Sequence, residues 1–400
     1  MSRDRVVFFA SLAFCANYAF NLDMGITKIR NFIEGFFYKN IFKRLFFAFD
    51  PEYVHDRVTS TGVLMGSFAL GRMFVKAMFG YSNKALEQTV AGIYFKNPIG
   101  LAAGFDKNGQ LTQTLPAVGF GFEEIGSVTG KPCIGNPGKR LWRLKNSQSL
   151  LVYYGLKNDG AEIISKRLSK LSFKFPLGIS IAKTNDQDTV DEASGISDYL
   201  KAYTEFNEKN IGDYFTINIS CPNVFGGEPF TDPEKLEHLL QALREQDSSF
   251  NKPVFLKLPA ELPLDVIDQI LELAKKFKIT GLVCTNLAKS RSNPNIKDQS
   301  VPEVGGMSGK VLQDLSDDLI GYIYKKCGKD FVLIGCGGIF TAEDAYRKIK
   351  KGATLLQMIT GMIFEGPQVI SDINLGLVEL LKKDGYSNIS EAVGAEFKLI

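Results

Sequence analysis

Tyr214–Asn223 reads YFTINISCPN. It opens as an apolar and β-branched run and ends in small and polar residues, Asn218, Ser220, Cys221 and Asn223. A parallel strand covered on both faces reads as a short continuous run of this kind. The helical stretch DPEKLEHLLQAL follows it. Moving outward, the same unit recurs in both directions. Upstream lie NPIGLAAG, ending near Gly104, FEEIGSVT, ending near Thr129, and LGISIA, ending near Lys183. Downstream lie VFLKL to Lys257, GLVCTN to Asn286, FVLIGCGG to Gly338 and LLQMIT to Thr360. Helical stretches such as PLDVIDQILELAKKF and TAEDAYRKIKKG separate them. Only KRLWRLK, Lys139–Lys145, breaks the alternation, as an inserted strand or hairpin.

Strands alternating with helices in this number predict an α/β chain built as a (β/α)8 TIM barrel over residues 89–400. A doubly wound open sheet is the competing architecture, but no GxGxxG opens the first unit. Before the barrel, residues 25–88 read as a small helical domain. Phe37, Ile41, Leu45 and Phe49 share one helical stripe, with Phe42 and Phe46 beside it and Lys39 and Lys43 elsewhere. Such a helix suits a membrane interface or the protein's own core. Asp50-Pro51 reads as an N-cap with proline in the first turn of a helix running to about Ser67. Residues 1–24 hold the apolar run Val6–Phe20, shorter than the roughly 20 residues of a spanning helix. It reads as a marginal anchor, a signal-like segment or an extension upstream of a start at Met24.

Composition narrows the function. The chain has 400 residues, 45% hydrophobic and 23% charged, with a net charge of +3. That excludes disorder and a nucleic-acid protein run by a large basic surface. Six cysteines without a CxxC pair argue against a disulfide scaffold or zinc ribbon. With only His55 and His238, no multi-histidine metal site is expected, and a Ser-His-Asp hydrolase would depend on one of the two.

In this fold the chemistry sits at the C-terminal ends of the strands. Lys107, Ser127, Thr129, Lys183, Asn218, Ser220, Cys221, Asn223, Lys257, Thr285 and Asn286 all fall there. Gly335, Gly337, Gly338 and Gly361 follow the last two strands, where backbone N–H groups can hold a phosphate. Lys257 interrupts an apolar strand, and a buried ammonium needs an anion. The asparagines suit a planar ligand with imide and carboxylate groups. Cys221 is a base or nucleophile if its thiol is activated, and packing otherwise.

Taken together, NPIGLAAGFDKNG, FEEIGSVT, INISCPN, FLKLP, CTN, GGMSGKVL, IGCGGI and ITG resemble, in order and spacing, the dihydroorotate dehydrogenases, over about residues 36 to 380. The resemblance implies an FMN-dependent barrel that oxidises dihydroorotate to orotate in pyrimidine synthesis. The segment FAFDPEYVHD is similar to the N-terminal extension of the membrane-associated, quinone-reducing class. That implies a quinone tunnel and peripheral attachment to a bacterial cytoplasmic or mitochondrial inner membrane. Flavin positions implied are Ala103, Gly104, Lys107, Ser127, Ser180, Asn218, Lys257, Thr285, Gly309, Gly337, Gly338, Thr360 and Gly361. Substrate positions implied are Lys107, Asn218, Asn223 and Asn286, with Cys221 as base and Lys257 offsetting charge on the reduced flavin. The chain departs from the quinone-reducing pattern in several places. Cys221 stands where serine is usual, Val152 and Ser180 where asparagines are usual, Leu287 where Thr or Ser is usual, and Ile359 where tyrosine is usual. Two rivals remain open at this point: a related FMN barrel acting on another cyclic amide, and a non-redox phosphate-binding barrel; a third, a non-catalytic membrane-associated binding protein with a decayed site, is opposed by the intact Lys107, Asn218, Cys221 and Lys257.

Overall fold

The computed structural model describes residues 24–227 and 229–397. The apolar run Val6–Phe20 lies outside them. A helix over residues 24–37 (α1) continues through a π-helical turn, Tyr38–Phe42, into α2 (Lys43–Ala48). The expected cap follows: the Asp50 carboxylate accepts from the N–H groups of Glu52 (2.9 Å) and Tyr53 (3.1 Å), and Pro51 opens α3 (Pro51–Ser67). α4 (Ala69–Phe79) completes the helical region. Phe37, Ile41, Leu45 and Phe49 are all about half exposed, so the aromatic stripe is not buried against the protein's own core.

The sequence reading missed the next element. β1 (Gln88–Val90) and β2 (Ile93–Phe95) form an antiparallel hairpin. Its two turn residues, Ala91 and Gly92, both have positive φ (48° and 82°), the requirement of the turn that matches strand twist. Val90 and Phe95 pack with Phe122, Tyr214 and Phe255 and close the N-terminal end of the barrel.

The eight expected strands are β3 (Ile99–Leu101), β4 (Phe122–Val128), β7 (Leu177–Ile181), β8 (Tyr214–Asn218), β9 (Val254–Leu258), β10 (Gly281–Cys284), β12 (Val332–Cys336) and β13 (Leu355–Met358). They pair in parallel and in chain order, and β13 pairs back onto β3 to close the barrel. The inserted segment is a hairpin of β5 (Leu141–Leu144) and β6 (Ser149–Val152). β11 (Gly306–Gly309) joins it as a third antiparallel strand beside the barrel mouth.

Side chains alternate between the barrel interior and the helix-covered exterior. Along β8, Tyr214, Thr216 and Asn218 point inward while Phe215 and Ile217 join the outer core. Gly178 faces Tyr214 in register, and a Cβ there would lie 2.2 Å from the tyrosine ring. The interior therefore rises from an aromatic floor, through polar Glu124, Thr216 and Gln357, to the site residues. Thr216 and Gln357 both donate to Glu124 Oε2, at 2.8 and 2.9 Å.

On the other face of β4, Glu123 is fully buried beside Asp106. Burial first, and the Asp106 charge second, push its pKa well above the usual carboxylate value. The folded chain thus keeps a proton that the unfolded chain releases. This contribution to stability is complete below the unfolded pKa and is lost as pH rises through the folded one. Glu123→Gln should flatten that decline and add about 1–3 kcal/mol at alkaline pH, the cost of a poorly satisfied buried polar group. Denaturant melts of both proteins between pH 5 and about pH 9 check this; parallel curves would refute it.

Candidate active site

The strand ends open on a cavity. Its wall includes Ala103, Gly104, Lys107, Ser127, Asn218, Cys221, Asn223, Lys257, Thr285, Asn286, Gly309, Gly337, Gly338, Thr360 and Gly361, so the fold gathers nearly the whole expected set. Ser180 is the exception. It is fully buried behind Ser127, whose hydroxyl lies 2.7 Å from its own, and it does not reach the wall. The shorter serine leaves that place to Ser127, which also receives the Asn218 amide at 2.8 Å.

The glycines after β12 and β13 permit close backbone packing. Gly337 and Gly338 have φ of +128° and +70°, and a Cβ on Gly338 would meet Gln313 Cβ at 2.3 Å. A Cβ on Gly361 would lie 2.0 Å from the Ile339 carbonyl oxygen. Thr360 opens the helix Thr360–Glu365, with its hydroxyl 2.7 Å from that of Ser308. Lys257 is only 5% exposed and stands in register with Asn218. No carboxylate lies within ion-pair distance of its ammonium among the described residues.

Beside these, Asn286 ties the second wall together. Its amide donates to the Ser220 carbonyl at 2.7 Å and to Asn218 Oδ1 at 3.2 Å. Asn223 donates to the Val152 carbonyl at 3.0 Å. Val152 thus contributes its backbone where its side chain offers no polar contact. Lys107 lies 4.0 Å from the centre of the Tyr154 ring. Burial, reinforced by the like charge of Lys157, pushes its pKa down to about 8. Tyr154, Lys157 and His55 also line the wall and went unnoticed as site residues in the sequence. Tyr154 and Lys157 lie in the insertion beyond β6, away from any barrel-strand end, and His55 arrives from α3.

His55 marks a second opening. A largely apolar cavity runs between α1, α2, α3 and the barrel, lined by Phe37, Tyr38, Phe42, Phe46, Val58 and Met362 among others. His55, Phe105, Leu141, Leu150 and Ile363 line both cavities. His55 Nε2 lies 2.9 Å from the Phe105 carbonyl, so that nitrogen carries the proton. Burial, then the charge of Lys107, lowers the histidine pKa and favours the neutral ring. Besides His55, the polar side chains at this wall are Glu34, Tyr38, Arg143 and Gln368; Tyr38 donates to the Ile363 carbonyl at 2.7 Å.

The first cavity fits FMN in three respects. It has glycine turns that leave backbone N–H groups accessible to a phosphate, a buried cation awaiting an anion, and amide and hydroxyl groups for a polar ring edge. Among the described residues, no cluster of three or more potential metal ligands exists.

Comparison with known proteins agrees. The family model described as dihydroorotate dehydrogenase matches residues 85–381. A Haloarcula marismortui protein named dihydroorotate dehydrogenase (quinone) is 38% identical over 76% of this chain and 84% of its own. A Nostoc relative of the same name is 37% identical over 87% of this chain and 95% of its own. Among solved structures, DHODH of Eimeria tenella, in complex with ferulenol, superposes with a TM-score of 0.77 at 27% identity, over 87% of this chain and 96% of that one. By its barrel, its gathered strand-end residues and these matches, the chain belongs to the dihydroorotate dehydrogenase family.

Proposed function

We propose that this enzyme oxidises (S)-dihydroorotate to orotate through FMN and delivers the electrons to a quinone. The observation that carries the reading is the convergence of Cys221, Lys107, Asn218, Asn223 and Asn286 on the cavity that also holds Lys257 and the glycine turns. The reaction removes a proton from the carbon next to a ring carbonyl and a hydride from the adjacent carbon. Cys221, as thiolate, accepts that proton. The three asparagines and Lys107 orient the ring amides and the carboxylate, so that the proton faces the sulfur. Bound FMN supplies the hydride acceptor. Lys257 would offset negative charge on the reduced cofactor. Gly337, Gly338 and the Thr360–Gly361 turn would hold its phosphate. Ser127, Thr285 and Gly309 would support the remainder, with Ser180 acting through Ser127.

The second cavity is the quinone path. Its apolar walls suit an isoprenoid chain, and the wall it shares with the first cavity brings the acceptor close to the donor. In this reading residues 25–88 form the acceptor domain and 89–400 the catalytic barrel. The acceptor domain rests on a membrane surface. Ile26, Ile29, Phe32, Phe36, Leu70, Met73 and Phe74 are all more than half exposed and give it an apolar face. No single described helix is long and apolar enough to span a membrane; α3 and α4 pass such a test only together, as a pair bent by 116°.

The test of the acceptor is a double-mixing experiment. Enzyme reduced anaerobically by dihydroorotate should be reoxidised by a short-chain ubiquinone at least tenfold faster than by fumarate or NAD+, about 1.4 kcal/mol of barrel-and-tunnel preference. Equal rates for all acceptors would reject the quinone assignment.

A further inference from the structure

The loop that carries Cys221 is gripped at one residue from the end of β7. Phe225 donates its N–H to Asn185 Oδ1 at 2.7 Å, and its carbonyl accepts from the Lys183 ammonium at 2.9 Å. Both backbone groups of one exposed loop residue are therefore held by two side chains two positions apart. The grip is braced behind. Asn185 Nδ2 donates to Asn136 Oδ1 (3.0 Å) and to the Gly155 carbonyl (3.2 Å), and Asn136 donates to the Asn223 carbonyl (3.1 Å). Gly226 and Gly227, both with positive φ, follow immediately and give the loop freedom to swing once the grip is released. Lys183 is itself 97% buried, an ammonium placed where the fold would otherwise have an apolar group. It shares a small cavity with Cys221, Tyr199, Asn218 and Phe230.

We propose that Lys183 is a positioning residue for Cys221: with Asn185 it fixes the loop that bears the sulfur, and its charge favours the thiolate. This rests on the reading of Cys221 as the base. Burial lowers the lysine pKa, while Asp186 and Cys221 act in the opposite sense, so the ammonium and the sulfur are electrostatically coupled. Among the described residues, other charged groups near the pair are Lys107, Lys157 and Lys257, which line the main cavity with Cys221, Asp186, which is 3.7 Å from Lys131, and Asp198 on the helix Glu192–Glu208, which accepts from Thr184 and Gly130. All of these stay in place in the variants below. A thiolate base has more need of such a cation than a hydroxyl would, because the charge resides on the sulfur before substrate is bound.

The experiment follows alkylation of Cys221 by iodoacetamide, read on its own peptide by mass spectrometry, in FMN-loaded enzyme without substrate across pH. Lys183→Gln keeps a donor for the Phe225 carbonyl but removes the charge. Its alkylation midpoint should rise by about one pH unit, with Lys183→Arg returning it to the wild-type value. Asn185→Ala loosens the loop and keeps the charge, so alkylation should quicken severalfold with the midpoint unmoved. A Lys183→Gln midpoint equal to wild type would overturn the electrostatic role, and an unchanged Asn185→Ala rate would overturn the grip. Neither result depends on turnover. If Cys221 is not the base, these shifts persist while substitution of Cys221 leaves flavin reduction intact, so the two failures are distinguishable.

Discussion

Cys221→Ala will slow reduction of the bound flavin by dihydroorotate about 10²–10⁴-fold, the usual contribution of a positioned general base. The sulfur follows β8, in a segment fixed on one side by Asn286 and Ser220 and on the other by Asn223 and the Val152 carbonyl. Alanine removes the proton acceptor and leaves those contacts in place, so substrate affinity should change far less than the rate. Cys221→Ser restores a proton acceptor of much higher intrinsic pKa. Its residual activity should rise with pH beyond the range where the wild-type rate has levelled off. Anaerobic stopped-flow spectroscopy of flavin bleaching measures both. A Cys221→Ala enzyme that bleaches at the wild-type rate would remove the cysteine from the chemistry.

The second large effect is at Lys257. Methionine matches the length of the lysine stem, so Lys257→Met keeps the barrel interior filled and removes only the charge. The ammonium has no carboxylate within ion-pair distance among the described residues, and its charge opposes the upward push that burial gives the Cys336 thiol. Flavin reduction should fall about 10²-fold, comparable to deleting one donor from a site where charge develops. The bound flavin should also become harder to reduce, and some should be lost on purification. Full FMN content with an unchanged reduction potential and rate would contradict the role.

How far these residues were visible in the sequence follows from what positions them. The barrel strands were legible because burial on both faces writes an uninterrupted apolar run, and the site because a polar residue ending such a run has only the barrel mouth to face. Lys257 and Asn218 illustrate this: their pairing in register is a consequence of two adjacent runs ending alike. The β1–β2 hairpin was not legible. Its strands have three residues each, and Ala91-Gly92 lacks the asparagine or aspartate that usually marks such a turn. Nor was β11, whose partner β6 lies more than 150 residues earlier in the chain. Tyr154 and Lys157 were hidden for the same reason, since only the docking of that extra sheet brings them to the wall. Ser180, a flavin position by resemblance, does not line the cavity: it is fully buried, and its hydroxyl meets that of Ser127 at 2.7 Å. The grip of Lys183 and Asn185 on Phe225 depends on a loop conformation that no periodicity encodes.

One FMN in the barrel mouth, reduced by dihydroorotate, is open to an anaerobic spectral titration of the purified protein. The enzyme should be yellow, with one FMN per chain, bleached by one equivalent of dihydroorotate with release of one orotate, and recoloured by quinone. A protein that binds no FMN, or one whose flavin stays oxidised in excess dihydroorotate, would contradict it.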